Sequence, residues 1–229
     1  MKNINVLGIA SSPIKEGNVS FLLKHALAEV SSIPDVKVDF ISLAGLNIAD
    51  CKHCNWCMKK QTTGSFCAVQ DDGTAILSKI ERCDILVLAT PVYFARLSAT
   101  MASLIDRTRC FIFGNEYPMA LRGKIGVALA VAWARNMGIE PTLESLHNAF
   151  LIHEMLTPSS HSACVMNGVG AISGQLDESL SVKPNKIGVS DDKQALKATG
   201  IIMNKAVTLA REIKQTSQLY CSPLTRRLK

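Results

Sequence analysis

At 229 residues, with 48% hydrophobic and only 19% charged side chains, the chain has enough apolar material for an α/β domain and too little charge for a disordered one. Its formal charge of +6 is mild and spread out; the one tight basic cluster, Arg226, Arg227 and Lys229, reads as a solvated tail rather than a nucleic-acid or membrane contact. The longest apolar run, Ile125 to Ala134, is far short of the ~18 residues a membrane span needs, and a strand starting near Asn3 leaves no room for a signal peptide. The expectation is a cytoplasmic protein whose eight cysteines stay reduced.

Taken in order, short apolar runs alternate with helical patterns. Ile4 to Ile9 reads as a buried strand, followed by a turn-rich loop, Ser11 to Ser20. Val19, Leu22, Leu23, Ala26, Leu27 and Val30 then fall on one helical face. Val36 to Leu43 gives a second strand, with Val36, Val38 and Phe40 alternating. After a cysteine-rich loop, Asp71 and Asp72 suit the start of a helix. Ile85 to Ala89 is a third, fully buried strand; a helix from about Ser98 to Cys110 follows, with Met101, Leu104 and Ile105 on its apolar face. Ile125 to Trp133 is the fourth strand, and Leu143, Leu146, Phe150 and Leu151 mark the next helix. Cys164 to Val169 is assigned as the fifth strand, and Asp192 to Ile213 as a last long helix. The segment Ile172 to Ser190 has no period and reads as a surface loop or a lid. Strands interleaved with helices predict one doubly wound α/β domain over residues 1–229, with a five-stranded parallel sheet and helices on both faces.

The loop after the second strand, Cys51-Lys52-His53-Cys54-Asn55-Trp56-Cys57, closed by Cys67, puts four thiols in one stretch at gaps of two, two and nine. In a reducing compartment this reads as a metal or iron–sulfur site before it reads as disulfides. Gaps of two let one turn of backbone wrap a cluster corner. Structural zinc also suits four thiolates, although the spacing is not the paired C-x2-C of zinc ribbons; a third reading leaves the thiols merely reduced. His53 reads as an exposed neighbour, and Trp56 as a residue that tunes the site by packing. Cys83, Cys110, Cys164 and Cys221 are scattered, and Cys83 and Cys164 read as small buried hydrophobes.

In a doubly wound sheet, ligands bind beyond the carboxyl ends of the strands. The first such loop offers Ser11, Ser12, Pro13, Lys15, Gly17, Asn18, Val19 and Ser20 at a helix N-terminus: hydroxyls, a lysine and backbone donors suited to a phosphate, or simply a capped helix. It contains neither a GxGxxG fingerprint nor the G-K-[ST] of a nucleotide-triphosphate loop. The second, Thr90-Pro91-Val92-Tyr93-Phe94, joins a stiff turn to two aromatic rings and suits a flat cofactor or, equally, a buried strand end.

Together these loops resemble the FMN-binding loops of the flavodoxin-like NAD(P)H-dependent FMN reductases, and Ile105-Asp106-Arg107 is similar to that family's sequence. The resemblance runs over roughly residues 4 to 152. With the cysteine motif it narrows to the iron–sulfur flavoproteins, a branch in which such a loop, here at about 50–70, carries a [4Fe-4S] cluster. The resemblance implies FMN held by the two loops, with Trp133 or Arg135 shaping the pocket, and Cys51, Cys54, Cys57 and Cys67 as cluster ligands. In that branch the last gap is usually shorter than nine residues, and the loop after the fourth strand is often glycine-rich, whereas this chain has one glycine between Trp133 and Glu140. The implied activity is electron transfer between a one-electron donor such as ferredoxin and a two-electron acceptor such as quinone, dioxygen or peroxide, in a homodimer or homotetramer, with no catalytic acid or base. The alternatives are an NAD(P)H-dependent FMN or quinone reductase without a cluster, and a non-enzymatic redox sensor or electron carrier.

Overall fold

The computed structural model describes residues 3–174 and 187–219; the tail cluster, Cys221 and most of the unperiodic segment lie outside these. Five strands, β1 (Ile4–Ala10), β2 (Val36–Ser42), β3 (Ile85–Pro91), β4 (Ile125–Ala132) and β5 (Val169–Ile172), form one parallel sheet in the order β2-β1-β3-β4-β5. This is the flavodoxin-like order, with its switch point between β1 and β3. The helices are α1 (Asn18–Ser31), α2 (Trp56–Lys59), α3 (Asp72–Arg82), α4 (Ala99–Arg107), α5 (Ile139–Ile152) and α6 (Lys193–Leu219).

The central strands are apolar throughout because both of their faces are covered. Ile4, Val6, Ile85, Val87, Ile125 and Val127 face α1 and α6, while Leu7, Ile9, Leu86, Leu88, Ala128 and Ala130 face α3, α4 and α5. Close packing on the second side needs Gly126, where a Cβ would lie 2.5 Å from the Phe150 ring. Asp192 caps α6 through Ala195 N–H and takes Ile172 N–H on its other oxygen, so one carboxylate ends β5 and starts the last helix. Among the described residues no helix is long and apolar enough to cross a membrane.

The fifth strand lies later than the expected Cys164–Val169. Pairing with β4 begins only at Leu129↔Val169. Before it, the chain makes a tight turn bridging Ser160 to Val165, with Cys164 in the left-handed region at φ 53°. Gly168, at φ 137°, then crosses close to Ala128 O. Cys164 is consequently exposed, not the small core residue expected, whereas Cys83 is buried and burial pushes its thiol up to about 12. The expected helix over Ser98–Cys110 is α4 with Ser98 as its N-cap, finished by a 3-10 turn from Thr108 to Phe111.

Gly126→Ala should lower unfolding free energy by about 2 kcal/mol through overpacking against Phe150. Urea denaturation measures this, and adding Phe150→Leu should recover part of the loss; an unchanged midpoint for Gly126→Ala would contradict the packing described.

Candidate functional site

The loops after β1 and β3 meet at the switch point. Ser11 N–H donates to Ala89 O at 2.9 Å, and Ser98 Oγ lies 2.9 Å from Ser11 Oγ and 3.2 Å from Ser11 O. Thr90 Oγ1 accepts the Ser98 N–H, which ties the start of α4 to the end of β3. Ser11 is therefore a buried structural link, and its hydroxyl is engaged inside the protein. Ser20 is also buried and donates to Lys15 O at 2.7 Å, closing the loop on itself. Ser12 Oγ accepts the Ile14 N–H, Val19 packs into the core, and Pro13 and Lys15 are exposed. Gly17 is the N-cap of α1 in extended conformation, and no side chain caps the helix. Asn18 Oδ1 accepts the N–H of Val189, bringing the chain after β5 to the same edge. What this loop offers a ligand is chiefly the field and backbone donors of a helix N-terminus, the ordinary anion site.

Beyond β3, Pro91 is buried and Val92 N–H donates to Val131 O, while Tyr93 and Arg96 close a turn by exchanging backbone hydrogen bonds. Its two central residues, Phe94 and Ala95, sit at φ 50° and 57°, the left-handed pair of a type I′ turn. The Phe94 side chain is 97% exposed and Tyr93 half so. From the neighbouring loop, Gly138 (φ 89°) approaches so closely that a Cβ would lie 2.3 Å from Ala95 Cα. Trp133 and Arg135, at the mouth of that loop, are exposed. The two sequence-derived loops thus converge at the carboxyl end of the sheet, with a helix N-terminus on one side and exposed aromatic rings on the other.

The four cysteines of the third loop, Cys51, Cys54, Cys57 and Cys67, line a single small cavity together with Arg107, Arg109 and Cys110. The long last gap is an ordered excursion. Met58 to Phe66 folds out as a tight turn bridging Thr62 and Ser65, then returns through buried Phe66, whose ring packs on Phe111 and Tyr117. Gln61 holds the excursion: its Nε2 donates to Phe66 O and Cys110 O, and its Oε1 accepts from the N–H groups of Glu116 and Tyr117. The extra residues are absorbed in this turn, and Cys67 is brought back beside the other thiols.

Both ends of the cysteine loop are tied to one side chain. Arg107, at the end of α4, has no exposed side-chain surface. Its Nη1 lies 2.9 and 3.1 Å from the Asp71 oxygens and 3.2 Å from Ala49 O, just before the first cysteine. Its Nη2 donates to Val69 O, just after the last. Burial pushes the Asp71 carboxyl up, but the Arg107 hydrogen bonds and the Ala49 N–H outweigh it and hold the group below the usual carboxylate range. Burial raises the Cys57 thiol; Arg109, with Nη1 3.9 Å from its sulfur, opposes that, and nearby Cys67 and Cys51 add to it.

Among the described residues no three His, Cys, Asp or Glu side chains converge tightly enough for a single metal ion. The thiols share a cavity without meeting at a point. A larger cavity of about 990 Å³ lies between α1 and α6, beside His25, Glu29, Asn204 and Lys205, but contains neither thiols nor aromatic rings. Sequence reasoning missed Gln61, Asp71 and Arg109 as parts of the site; the buried fates of Gln61 and Asp71 leave no periodic signal in a loop.

His153 lies beside this region, its Nε2 2.7 Å from Thr108 Oγ1. That hydroxyl gives its proton to Ile105 O at 2.6 Å, so the imidazole must donate from Nε2. Burial pulls the imidazole down to about 4. The unfolded state takes up a proton near pH 6.5 that the folded state refuses until about 4, so stability present above pH 6.5 is lost on acidification through that window. The slope should approach ~1.4 kcal/mol per pH unit; comparing urea unfolding of wild type and His153→Gln from pH 7 to 4 measures it, and equal slopes would contradict the burial. Gln61→Ala strips hydrogen bonds from two buried carbonyls and two part-buried N–H groups and should cost about 2–4 kcal/mol; its denaturation midpoint should drop and its Cys67 should react faster with thiol reagents.

Comparisons with known proteins give the family and the fold. The NADPH-dependent FMN reductase family model matches residues 4–169. An iron–sulfur flavoprotein of Methanocaldococcus jannaschii is 37% identical over 163 residues, covering 69% of this chain and 80% of that protein. One from Methanosarcina thermophila is 31% identical over 69% of this chain and 79% of its own. Among solved structures, RosB with bound 8-demethyl-8-formylriboflavin-5′-phosphate superposes with a TM-score of 0.70 at 14% identity, covering 93% of this chain and 81% of RosB, a likeness of fold. The chain is a flavin-dependent oxidoreductase and belongs to the iron–sulfur flavoprotein branch of the NADPH-dependent FMN reductase family.

Proposed function

We propose that this protein is an FMN-dependent electron-transfer oxidoreductase that couples a [4Fe-4S] cluster on Cys51, Cys54, Cys57 and Cys67 to FMN bound at the switch point. The observation that carries the reading is the gathering of all four thiols around one cavity despite the nine-residue gap. A cluster takes its thiolates at separate iron corners, so its ligands must share a cavity without converging on a point. Tetrahedral zinc needs four sulfurs at ~2.3 Å from one centre, and gaps of two, two and nine are not the paired C-x2-C spacing of zinc ribbons.

The FMN phosphate would lie at the end of α1, against the loop of Ser11, Ser12, Pro13, Lys15, Gly17, Asn18, Val19 and Ser20. Ser11 and Ser20 shape that loop, and the backbone of its neighbours binds. The ring would lie against Pro91, Val92, Tyr93 and Phe94, with Trp133 and Arg135 at the rim. Bound there, FMN exchanges electrons in pairs or singly, whereas a cluster passes one at a time. The protein's part is to bind, orient and tune, and no side chain is assigned as acid or base.

The two proposed sites lie at opposite ends of α4: Ser98 is fixed to the Ser11 loop, and Arg107 to the cysteine loop. Nine residues of helix separate them by roughly 13 Å at ~1.5 Å per residue. The assembly in this reading is a homodimer or homotetramer in which a second subunit brings a cluster to a flavin, as the resemblance to the iron–sulfur flavoproteins implies. The whole chain is read as one flavodoxin-like domain with the cysteine loop inserted after β2, acting in the cytoplasm without nucleic acid or membrane. A ferredoxin-like protein would supply single electrons, with NAD(P)H as the other donor, and a quinone, dioxygen or peroxide would accept them.

The test is anaerobic purification with iron, acid-labile sulfide and flavin assayed on one sample, followed by turnover with a low-potential one-electron donor and with NAD(P)H. About four irons and one FMN per chain, with faster turnover from the one-electron donor, are expected. Flavin without iron, with steady NAD(P)H oxidation, would replace the reading with a clusterless reductase. Absence of flavin would overturn both.

A further inference from the structure

The buried Arg107 guanidinium leaves one of its three nitrogens without a hydrogen-bond partner in the protein. Nη1 and Nη2 are taken by Asp71, Ala49 O and Val69 O, but Nε has no partner. A donor closed off from water costs free energy when its bond is unmade, so a buried orphan calls for an acceptor. Arg107 lines the same cavity as the four cysteines, and the Cys67 side chain lies against its guanidinium. The rest of that lining is Lys52, Trp56, Ala68, Val69, Arg109, Cys110 and Asn55, whose side-chain carbonyl is also buried without a partner. Apart from the Val69 and Asn55 oxygens, the side-chain acceptors lining the cavity are sulfurs, and Cys67 is the one that lies against the guanidinium. Asn55 fits the same account, because its carboxamide turned about its last bond presents NH2 to the cavity.

We propose that Arg107 Nε–H donates a hydrogen bond to a sulfur of the cluster, at or beside Cys67, and thereby raises the cluster's reduction potential. This rests on the cluster reading above. Hydrogen bonds to cluster sulfurs and nearby positive charge both favour the added electron. The role is separate from anchoring the loop, which uses only the two Nη groups.

The experiment is a redox titration of the anaerobically reconstituted full-length protein, following the cluster's signal in electron paramagnetic resonance, with iron content and melting temperature measured alongside. Arg107→Lys keeps the charge and loses the Nε–H. The pair Arg107→Gln with Asp71→Asn removes both buried charges without stranding either. The midpoint should shift negative in Arg107→Lys and further in the pair, whereas Asp71→Asn alone, which keeps the guanidinium, should not shift negative. Unmoved midpoints at full iron content would overturn the inference and leave Arg107 a purely structural anchor.

Should the variants fail to hold iron, protein labelled with 15N-arginine in an Arg109→Lys background decides the matter. Magnetic coupling of an arginine nitrogen to the reduced cluster is expected, and its absence overturns the proposal. Failure of the unaltered protein to take up iron would instead overturn the cluster reading, and this inference with it.

Discussion

A guanidinium with no exposed surface must be paired, and that constraint at Arg107 organises the half of the molecule that departs from a plain nucleotide-binding sheet. Asp71 answers the charge from the N-terminus of α3, and the carbonyls of Ala49 and Val69 each take one further donor from either side of the cysteine run. Removing one partner of such a pair strands the other in low dielectric, typically at 3–5 kcal/mol. The cysteine loop is therefore clamped at both ends by an interaction that is expensive to break, while Phe66 anchors it in the core and Ile48, Cys57 and Cys67 pack against that core. Its middle is governed by the same logic on a smaller scale, through the single carboxamide of Gln61 and a trio of aromatic rings.

The turn beyond β3 is built by strain instead of charge. Left-handed backbone costs an ordinary residue about 1–2 kcal/mol, and two such residues stand in succession at Phe94 and Ala95. Three supports hold them there: the Tyr93–Arg96 bridge, the rigid end of β3, and Gly138 pressed against Ala95. The result is a phenylalanine ring displayed almost wholly to solvent, which a folded core would not produce. Strain maintained by the surrounding structure, ending in an exposed ring beside an uncapped helix, is what a preorganised ligand edge looks like.

Much of this was legible in the sequence, and the illegible parts share a cause. β1, β3 and β4 are buried on both faces and read as continuous apolar runs; α1 and α6 read from their period. β5 was displaced because Gly168 and Gly170, which let it pack against Ala128 and Ile139, interrupt the apolar signal that marks a strand, while Cys164-Val165-Met166 imitates one. The cysteine spacing announced a site, but the turn that brings Cys67 home depends on Gln61, a polar residue whose buried role is set by carbonyls about 50 residues away. Arg107 was visible as part of a family-like tripeptide, yet nothing in one dimension says that it will be buried. Local pattern reveals what repeats along the chain; single polar contacts between distant loops do not repeat.

The two edges, taken together, divide the work by the kind of charge each must manage. The edge proposed to hold FMN presents backbone donors and rings, with its charged groups, Lys15 and Arg135, in solvent. That suits a ligand that brings its own phosphate and needs a shaped surface more than compensation. Thiolates are different: gathered in a small cavity they repel one another, as burial and neighbouring sulfurs already raise the Cys57 thiol. Such a group is tenable only where positive charge is fixed nearby, and the chain supplies Arg107 and Arg109 from the last turn of α4 and the residues just after it. The same short helix starts at Ser98, bonded to the flavin loop. One rigid element thus sets both the separation of the two edges and the electrostatics of the one that needs it.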